Sequence, residues 1–236
     1  MRLSDRIHKL AEKIEKGETA ADIGTDHGYV PMLLVRNGIS PNVIMSDISE
    51  SSLAKAMETF SMCKIDASED SFRVGDGLET IENGEVDVII IGGLGGLTII
   101  EILSVDLEKS KSYKKLVLQP RKHSGELRHY LYTHGWDIVD EDLAKEGKFV
   151  CEIISAVPTE LCARKSEISK NDIRWKYPPE IVKADPLLAK DRIDWKISSI
   201  YEQIDNLSKA ESDKNELIDS LKSDARYLEE LIAHIH

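Results

Sequence analysis

The 236-residue chain is predicted to form a doubly wound α/β domain followed by an all-helical extension. Three observations point to this. Short apolar runs alternate with helical segments from the N-terminus to residue 157. Val86–Ile91 is almost uninterruptedly apolar, as expected of a strand buried on both faces of a parallel sheet. After Pro158 no segment reads as a strand, and Lys, Glu, Asp and Leu dominate.

The elements follow in order. Residues 2–16 place Leu3, Ile7, Leu10, Ala11 and Ile14 at helical spacing, and Gly17 ends the helix. Thr19–Ile23 is a strand, and Gly28–Asn37 is a helix closed by Gly38. Val43–Ile48 is the second strand, closing on Asp47, and Ser49 or Ser51 caps a helix over Ser51–Met62. Ser71–Val74 leads into Gly75-Asp76-Gly77. Val86–Ile91 ends in Gly92-Gly93-Leu94-Gly95-Gly96, read as a loop, with a helix starting near Leu97. Leu116–Leu118 is a strand and Glu126–His134 a helix, while Trp136–Glu141 and Phe149–Ala156 form a closing antiparallel pair. Pro178-Pro179 and Pro186 mark an irregular stretch. Beyond it, Ile193, Ile197, Ile200, Ile204 and Leu207 form one apolar stripe, and Leu217, Leu221, Leu228, Leu231 and Ile235 another. A turn over Ser208–Asn215 makes these a helical hairpin of coiled-coil character. The domains are therefore 1–157, cofactor-binding, and 158–236, helical.

No apolar run approaches the ~20 residues that span a bilayer, and charges interrupt the N-terminal segment, so neither a membrane nor a secretory route is expected. Cys63, Cys151 and Cys162 form no CxxC pair, which predicts idle thiols in a cytoplasmic protein without a metal site. The net charge of −12 argues against indiscriminate nucleic-acid binding. Its distribution is uneven. Between Glu108 and Arg128, seven basic residues (Lys109, Lys111, Lys114, Lys115, Arg121, Lys122, Arg128) face two acids, with His123 and His129 alongside. Such a stretch is either a solvated face or a phosphate-contacting rim that admits RNA.

The segment Ala21-Asp22-Ile23-Gly24-Thr25-Asp26-His27-Gly28 sits where the first strand turns into its helix, the usual place for a nucleotide-like cofactor. A dinucleotide loop reads G-x-G-x-x-G and presents bare N–H groups to a pyrophosphate. Here the second glycine position holds Asp26, whose carboxylate would repel a diphosphate. S-adenosylmethionine carries no phosphate, and its amino and sulfonium groups are cationic, so the loop favours a methyl donor. Gly24 would let the backbone approach the methionine part, with Asp22, His27 and Gly28 around it. Asp47, with Ile48, would take the ribose hydroxyls, unless it merely caps a helix. Asp76, with Gly77, would take the adenine amino group, unless it is only a turn residue. Gly92 and Gly93, followed by Leu94, Gly95 and Gly96, would form a side-chain-free floor where a target base meets the methyl group. Tyr29, Arg121, Lys122 and Arg128 would border it on the substrate side.

The order LSDRI…ADIGTDHGYVP…SDIS…GDGL…IGGLGG…LQP…LR…GW…E resembles the bacterial tRNA adenine-22 N1-methyltransferases, the TrmK family, along nearly the whole chain. The resemblance implies a class I Rossmann-like methyltransferase with a helical C-terminal extension. It implies methyl transfer from S-adenosylmethionine to N1 of an adenine in the D-arm region of tRNA. Two positions depart from the pattern: Leu94 stands where methionine is expected, and Arg121 follows Gln119-Pro120 where asparagine is expected.

The chemistry agrees with that implication. N1 of neutral adenine has an in-plane lone pair and attacks a methyl carbon directly by in-line displacement, so no general base is obligatory. The product base is cationic, and Asp26 is the candidate carboxylate to stabilise it. N1 lies on the pairing edge, so a paired adenine must first be extruded. The alternatives are a methyltransferase acting on a small molecule or protein, a nucleotide-dependent oxidoreductase, and a non-catalytic scaffold. Assembly is open between a monomer and a homodimer through the C-terminal helices.

Overall fold

The computed structural model describes residues 3–159, 164–209 and 214–235. Helix α1 (Asp5–Glu12) precedes β1 (Ala20–Ile23), α2 (Tyr29–Arg36), β2 (Val43–Asp47) and α3 (Glu50–Met62). A 3-10 turn at Glu69–Ser71 leads into β3 (Phe72–Val74). Then come β4 (Val88–Leu94), α4 (Gly96–Val105), α5 (Leu107–Lys111), β5 (Lys115–Pro120) and α6 (Ser124–Thr133). The hairpin β6 (Trp136–Glu146) and β7 (Phe149–Pro158) closes a seven-stranded sheet of order β3-β2-β1-β4-β5-β7-β6. Strands β1 to β5 run parallel, and β7 is antiparallel to both neighbours. Chain order reverses between β1 and β4, where an open sheet leaves a crevice beyond the strand ends.

The central strands are apolar because both faces are covered. Ala20, Val88, Ile90 and Val117 pack under α1 to α3, whereas Ala21, Ile89, Ile91, Leu116 and Leu118 pack under α4 and α6. Strand β4 is longer than its apolar run. It continues through Gly92, Gly93 and Leu94, with a register shift against β5 between Gly92 and Leu94, so these three residues belong to the sheet and not to a loop. Strand β6 also outruns the expected Trp136–Glu141. Its polar positions are paired with the first helix: Lys9 reaches Asp142 at 2.6 Å, and Lys13 reaches Asp140 at 2.7 Å.

Residues 158–186 are less irregular than their prolines suggest, for they hold α7 (Ile173–Lys176) and α8 (Pro179–Ala184). Proline at a first helical turn costs no hydrogen bond, and Pro179 occupies that place. Helices α9 (Pro186–Ser208) and α10 (Asn215–Ile232) follow; residues 210–213 of the expected turn, and Cys162, lie outside the described residues. The stripe residues Ile193, Ile200 and Leu228 are buried, but they share their core with Leu143 of β6 and with Tyr177 and Ile181. Leu217 is half exposed and takes no part in it. The helical pair is thus seated on the closing hairpin. No described helix is long and apolar enough to cross a membrane. Cys63 and Cys151 are free and half-buried.

Candidate functional site

A cavity of about 500 Å³ opens beyond the C-terminal ends of β1, β2, β3 and β4. Of the residues expected at a cofactor, Gly24, Asp47, Ile48, Asp76 and Gly77 line it, and so does Leu94 of the expected base floor. Gly24 adopts φ +74°, which a side chain would strain, and an added Cβ would stand 3.4 Å from Leu94. Asp47 Oδ1 accepts the Ser49 N–H at 2.8 Å, and the cap of α3 is Ser49 itself, so the capping alternative for Asp47 falls. Asp76 is exposed between two glycines. Ile48 is 73% exposed, a large apolar surface at the mouth of the cavity. The residues contribute two carboxylates, an apolar wall and a bare glycine edge. Glu79, Glu101 and Asp106 also line the cavity against the single cation Lys109, so the wall is acidic on balance, accepts hydrogen bonds from hydroxyls and amines, and fits a nucleoside with cationic substituents better than a diphosphate.

The remaining loop residues stand around this cavity without lining it. Asp22, at the end of β1, is buried, and burial pushes its carboxyl up to about 6 despite the Thr25 hydroxyl and the Arg6 charge, with Asp47 adding to the rise. Asp26 is the carboxylate expected to stabilise the cationic base. Its carboxylate instead pairs with Lys55 of α3 at 2.7 Å and stands 3.4 Å from His27, and the Lys55 hydrogen bond holds it below the usual carboxylate range. The negative charge that the cavity wall itself presents is therefore that of Asp47, Asp76, Glu79, Glu101 and Asp106. His27 stacks on Tyr29 with ring centres 5.1 Å apart and planes 6° from parallel. Gly28 allows α2 to meet α3 closely, since a Cβ there would come within 2.9 Å of Ala56.

Gly92 to Gly96 lie beside the cavity, where β4 gives way to α4. A Cβ on Gly96 would collide with the His123 carbonyl, so only glycine lets the start of α4 pack against the 121–123 segment. That segment is tied down by two backbone bonds, Arg121 N–H to the Leu94 carbonyl at 2.7 Å and Gly96 N–H to the Lys122 carbonyl at 2.8 Å. Arg121 and Lys122 are exposed, with the Arg121 guanidinium over Gly93 and the Lys122 stem over Gly95.

Arg128 is not on this border. It is 1% exposed, with Nε 2.6 Å from Glu141 and Nη2 2.7 Å from Glu152, and it donates to the Trp175 carbonyl at 3.1 Å. It is a buried tie between α6, the closing hairpin and α7. The local basic excess shrinks further, because Lys114 pairs with Asp87 and Lys115 with Glu18.

Two groups of residues escaped sequence reasoning. Thr98, Glu101, Ile102 and Val105 present one face of α4 to the cavity, and their i, i+3, i+4, i+7 spacing was a readable signal. Arg6 and Gln119 carry no local signal. The Gln119 side-chain oxygen accepts from Gly93 N–H at 3.1 Å and from Arg6 at 3.3 Å beneath the glycine floor.

A family described as "Methyltransferase domain" matches residues 3–154. The curated tRNA (adenine(22)-N(1))-methyltransferase of Bacillus subtilis (strain 168) is 31% identical over 244 residues, spanning 99% of this chain and 98% of that protein. The crystal structure of the B. subtilis M1A22 tRNA methyltransferase TrmK is 26% identical, with a TM-score of 0.80 and coverage of 98% and 99%. A Streptococcus pneumoniae putative tRNA (m1A22) methyltransferase, crystallised with S-adenosyl-L-methionine, shares the fold at 24% identity, with a TM-score of 0.75 and coverage of 98% and 100%. Matched from end to end, the chain belongs to the tRNA (adenine(22)-N(1))-methyltransferase family.

Proposed function

We infer that the protein transfers a methyl group from S-adenosylmethionine to N1 of adenine 22 in tRNA. The observation that carries this reading is the join between the acid-lined cavity and the glycine floor. Asp47 and Asp76 stand at successive strand ends, and Leu94 belongs both to the cavity wall and to the floor that Arg121 and Lys122 overlie. End-to-end similarity to the B. subtilis enzyme supports the choice of base.

When bound, S-adenosylmethionine supplies an electrophilic methyl group on a cationic sulfur. Asp47 would accept from its ribose hydroxyls, Asp76 from its adenine amino group, and Gly24 would admit its methionine part. Asp22, His27 and Gly28 shape the loop around that part, and Gly77 and Ile48 flank the nucleoside. On the other side, Tyr29 and the floor Gly92–Gly96 would hold an extruded adenine flat. Because N1 already owns a lone pair, these residues need only orient the base, exclude water and offset the charge that develops on it. Asp26 is proposed for that last task, in competition with its partner Lys55.

Incubation with unmodified tRNA and isotopically labelled S-adenosylmethionine, followed by mass spectrometric mapping, tests the reading. One N1-methyladenosine at position 22 is expected. Methylation at another position, or of added peptide and small-molecule acceptors in preference to tRNA, overturns it. A cytoplasmic site of action and a monomeric working unit go with the proposal, since α9 and α10 turn their apolar residues into a core within the chain. The division at 157/158 is proposed as the boundary between the transfer domain and a substrate-gripping one.

A further inference from the structure

The glycine floor is one end of a longer feature. Arg121 and Lys122 overlie Gly93 and Gly95, and the next residue, His123, leads into α6 with φ +60°. A non-glycine residue in the left-handed region is held there by its surroundings. The imidazole Nδ1 stands 2.9 Å from Glu126, and the carbonyl packs on Gly96. Two residues later, Gly125 abuts the backbone of Lys176, which a Cβ would approach to 3.2 Å. The end of α7 therefore lies against the first turn of α6.

Helix α9 comes to the same place. Ser124 donates to Glu152 at 2.8 Å, and Arg192 of α9 pairs with that same carboxylate oxygen. The Arg192 guanidinium also lies 4.6 Å from the centre of the Tyr177 ring, next in sequence to Lys176. Lys196 is one turn further along α9 on the face that carries Arg192. Arg121, Lys122, Lys176 and Lys196 consequently run in one line from the floor, past the start of α6, onto the helical extension.

These four cations differ from the other basic residues nearby. Lys114, Lys115, Arg128, Arg174 and Arg192 all have carboxylate partners within ion-pairing distance. Among the described residues, Arg121, Lys122, Lys176 and Lys196 have no such partner. Glu126 is engaged by His123, and Asp172 by Arg174. Asp224 of α10 is the acid whose charge reaches Lys196, and it does so from beyond ion-pairing distance. Burial and the charge of Lys176 lower the Lys196 ammonium, so two like charges are held near each other with only longer-range compensation from Asp224 and Glu126. On a protein of net charge −12, a line of cations outside any ion pair is a built attraction for an extended polyanion.

We propose that Lys176 and Lys196 grip the RNA backbone flanking the target nucleotide, extending the Arg121–Lys122 border onto the helical extension. The proposal rests on the reading of the chain as a tRNA methyltransferase. An adenine turned out of its stack and laid on Gly93–Gly96 keeps its own phosphates at the edge of the floor. The strand leaving that edge meets Lys122 first, then Lys176, then Lys196. The contacts are to phosphates, so they set register and affinity and carry no sequence information.

Counterion release gives a readout that a structural role would not move. Each phosphate contact contributes about 0.7 to 0.9 to the slope of log K against log salt. Filter binding of unmodified tRNA across salt, on the full chain, compares wild type with Lys176→Gln, Lys196→Gln and the double variant. Each single variant is expected to reduce the slope by somewhat under one, and the double by about 1.5. Lys→Arg replacements at both positions should restore the wild-type slope. Lys16→Gln, ahead of β1 at the opposite edge of the sheet, should leave it unchanged. The melting temperature should not fall in any variant, and S-adenosylmethionine affinity by calorimetry should stay at the wild-type value throughout. If wild type methylates tRNA and the double variant keeps the full slope, the backbone grip is refuted while the methyltransferase reading stands. If wild type neither binds nor methylates tRNA, the failure lies in the functional reading itself.

Discussion

Gln119 fixes the conformation of Gly93 from below, its side-chain oxygen accepting the Gly93 N–H at 3.1 Å. Gly93 has φ +81° and lies at the shift in register between β4 and β5, so its amide finds no partner in a regular ladder. The same oxygen takes Arg6 at 3.3 Å, and the amide nitrogen donates to the Pro120 carbonyl at 3.1 Å. Gln119 is 1% exposed. The conformation of the floor thus depends on a buried residue outside the cavity lining.

Gln119→Leu keeps the volume and leaves the Gly93 N–H and Arg6 without their acceptor. An unsatisfied buried donor costs about 1–3 kcal/mol, so the melting temperature should fall by about 2–12 °C for a chain of this size. If the floor holds the base as proposed, turnover should fall more than donor affinity does. Gln119→Glu retains the acceptor for Gly93 and Arg6 but loses the donor to Pro120, so it should recover part of the turnover. Thermal unfolding and steady-state kinetics on the pair check this; equal loss of turnover in both variants would contradict it.

Asp47 and Asp76 line the cavity and are the acids proposed to receive the S-adenosylmethionine nucleoside. Removing a charged acceptor of a buried hydrogen bond costs about 1.5–3 kcal/mol, so Asp47→Asn should weaken S-adenosylmethionine binding roughly tenfold to a hundredfold. Turnover at saturating donor should change little. Asp76 is exposed, and Asp76→Asn should have the smaller effect. Calorimetry with S-adenosylmethionine and with NAD measures both affinity and discrimination. Unaltered donor affinity in both variants would remove these residues from the cofactor site.

Asp26 and Lys55 can be tested against each other. Asp26→Asn should slow transfer about tenfold at saturating donor and tRNA if its charge offsets the cationic base. Lys55→Met frees the carboxylate and should not reproduce that loss. Unchanged turnover in Asp26→Asn ends the role proposed for it.

Asp22 makes stability depend on pH. Its carboxyl is raised from 3.8 to about 6 in the folded state, with burial as the main cause. A raised carboxyl binds its proton more tightly when folded. Its contribution is therefore complete below about pH 4 and is lost as pH rises through about 6, by up to about 3 kcal/mol. Asp22→Asn should be more stable than wild type at pH 8, and that advantage should vanish toward pH 4. Melting curves at both pH values decide it; an advantage independent of pH would show that the carboxyl is not raised.

Much of this was legible because it is local. β2, α3 and the turn at Asp76 are set by short apolar runs, a serine cap and flanking glycines, each within a dozen residues. Asp47, Ile48 and Asp76 line the cavity because every parallel strand in such a sheet ends on the same edge. What the sequence hid depends on partners far along the chain. Asp26 meets Lys55 from 29 residues away, and Arg6 meets Gln119 from 113. The charges of β6 read as the end of a strand because Lys9 and Lys13, which neutralise them, lie on the first helix. The basic run through Arg128 read as one surface, although its last member points into the protein.

Arg128 gives the sharpest contrast between those two readings. As a surface contact to RNA, its loss would lower tRNA affinity and leave folding intact. As a buried tie, its loss strands Glu141 and Glu152, both within 2.7 Å of the guanidinium, in a site where burial already pushes Glu141 up. Breaking a buried pair from one side costs about 3–5 kcal/mol. Arg128→Met should therefore lower the melting temperature by roughly 6–20 °C and loosen the seat of α7. Arg192 keeps Glu152 partly compensated, so the lower half of that range is expected. At a temperature where the variant is folded, its salt slope for tRNA should equal that of wild type. A stable variant with a reduced slope would return Arg128 to the surface.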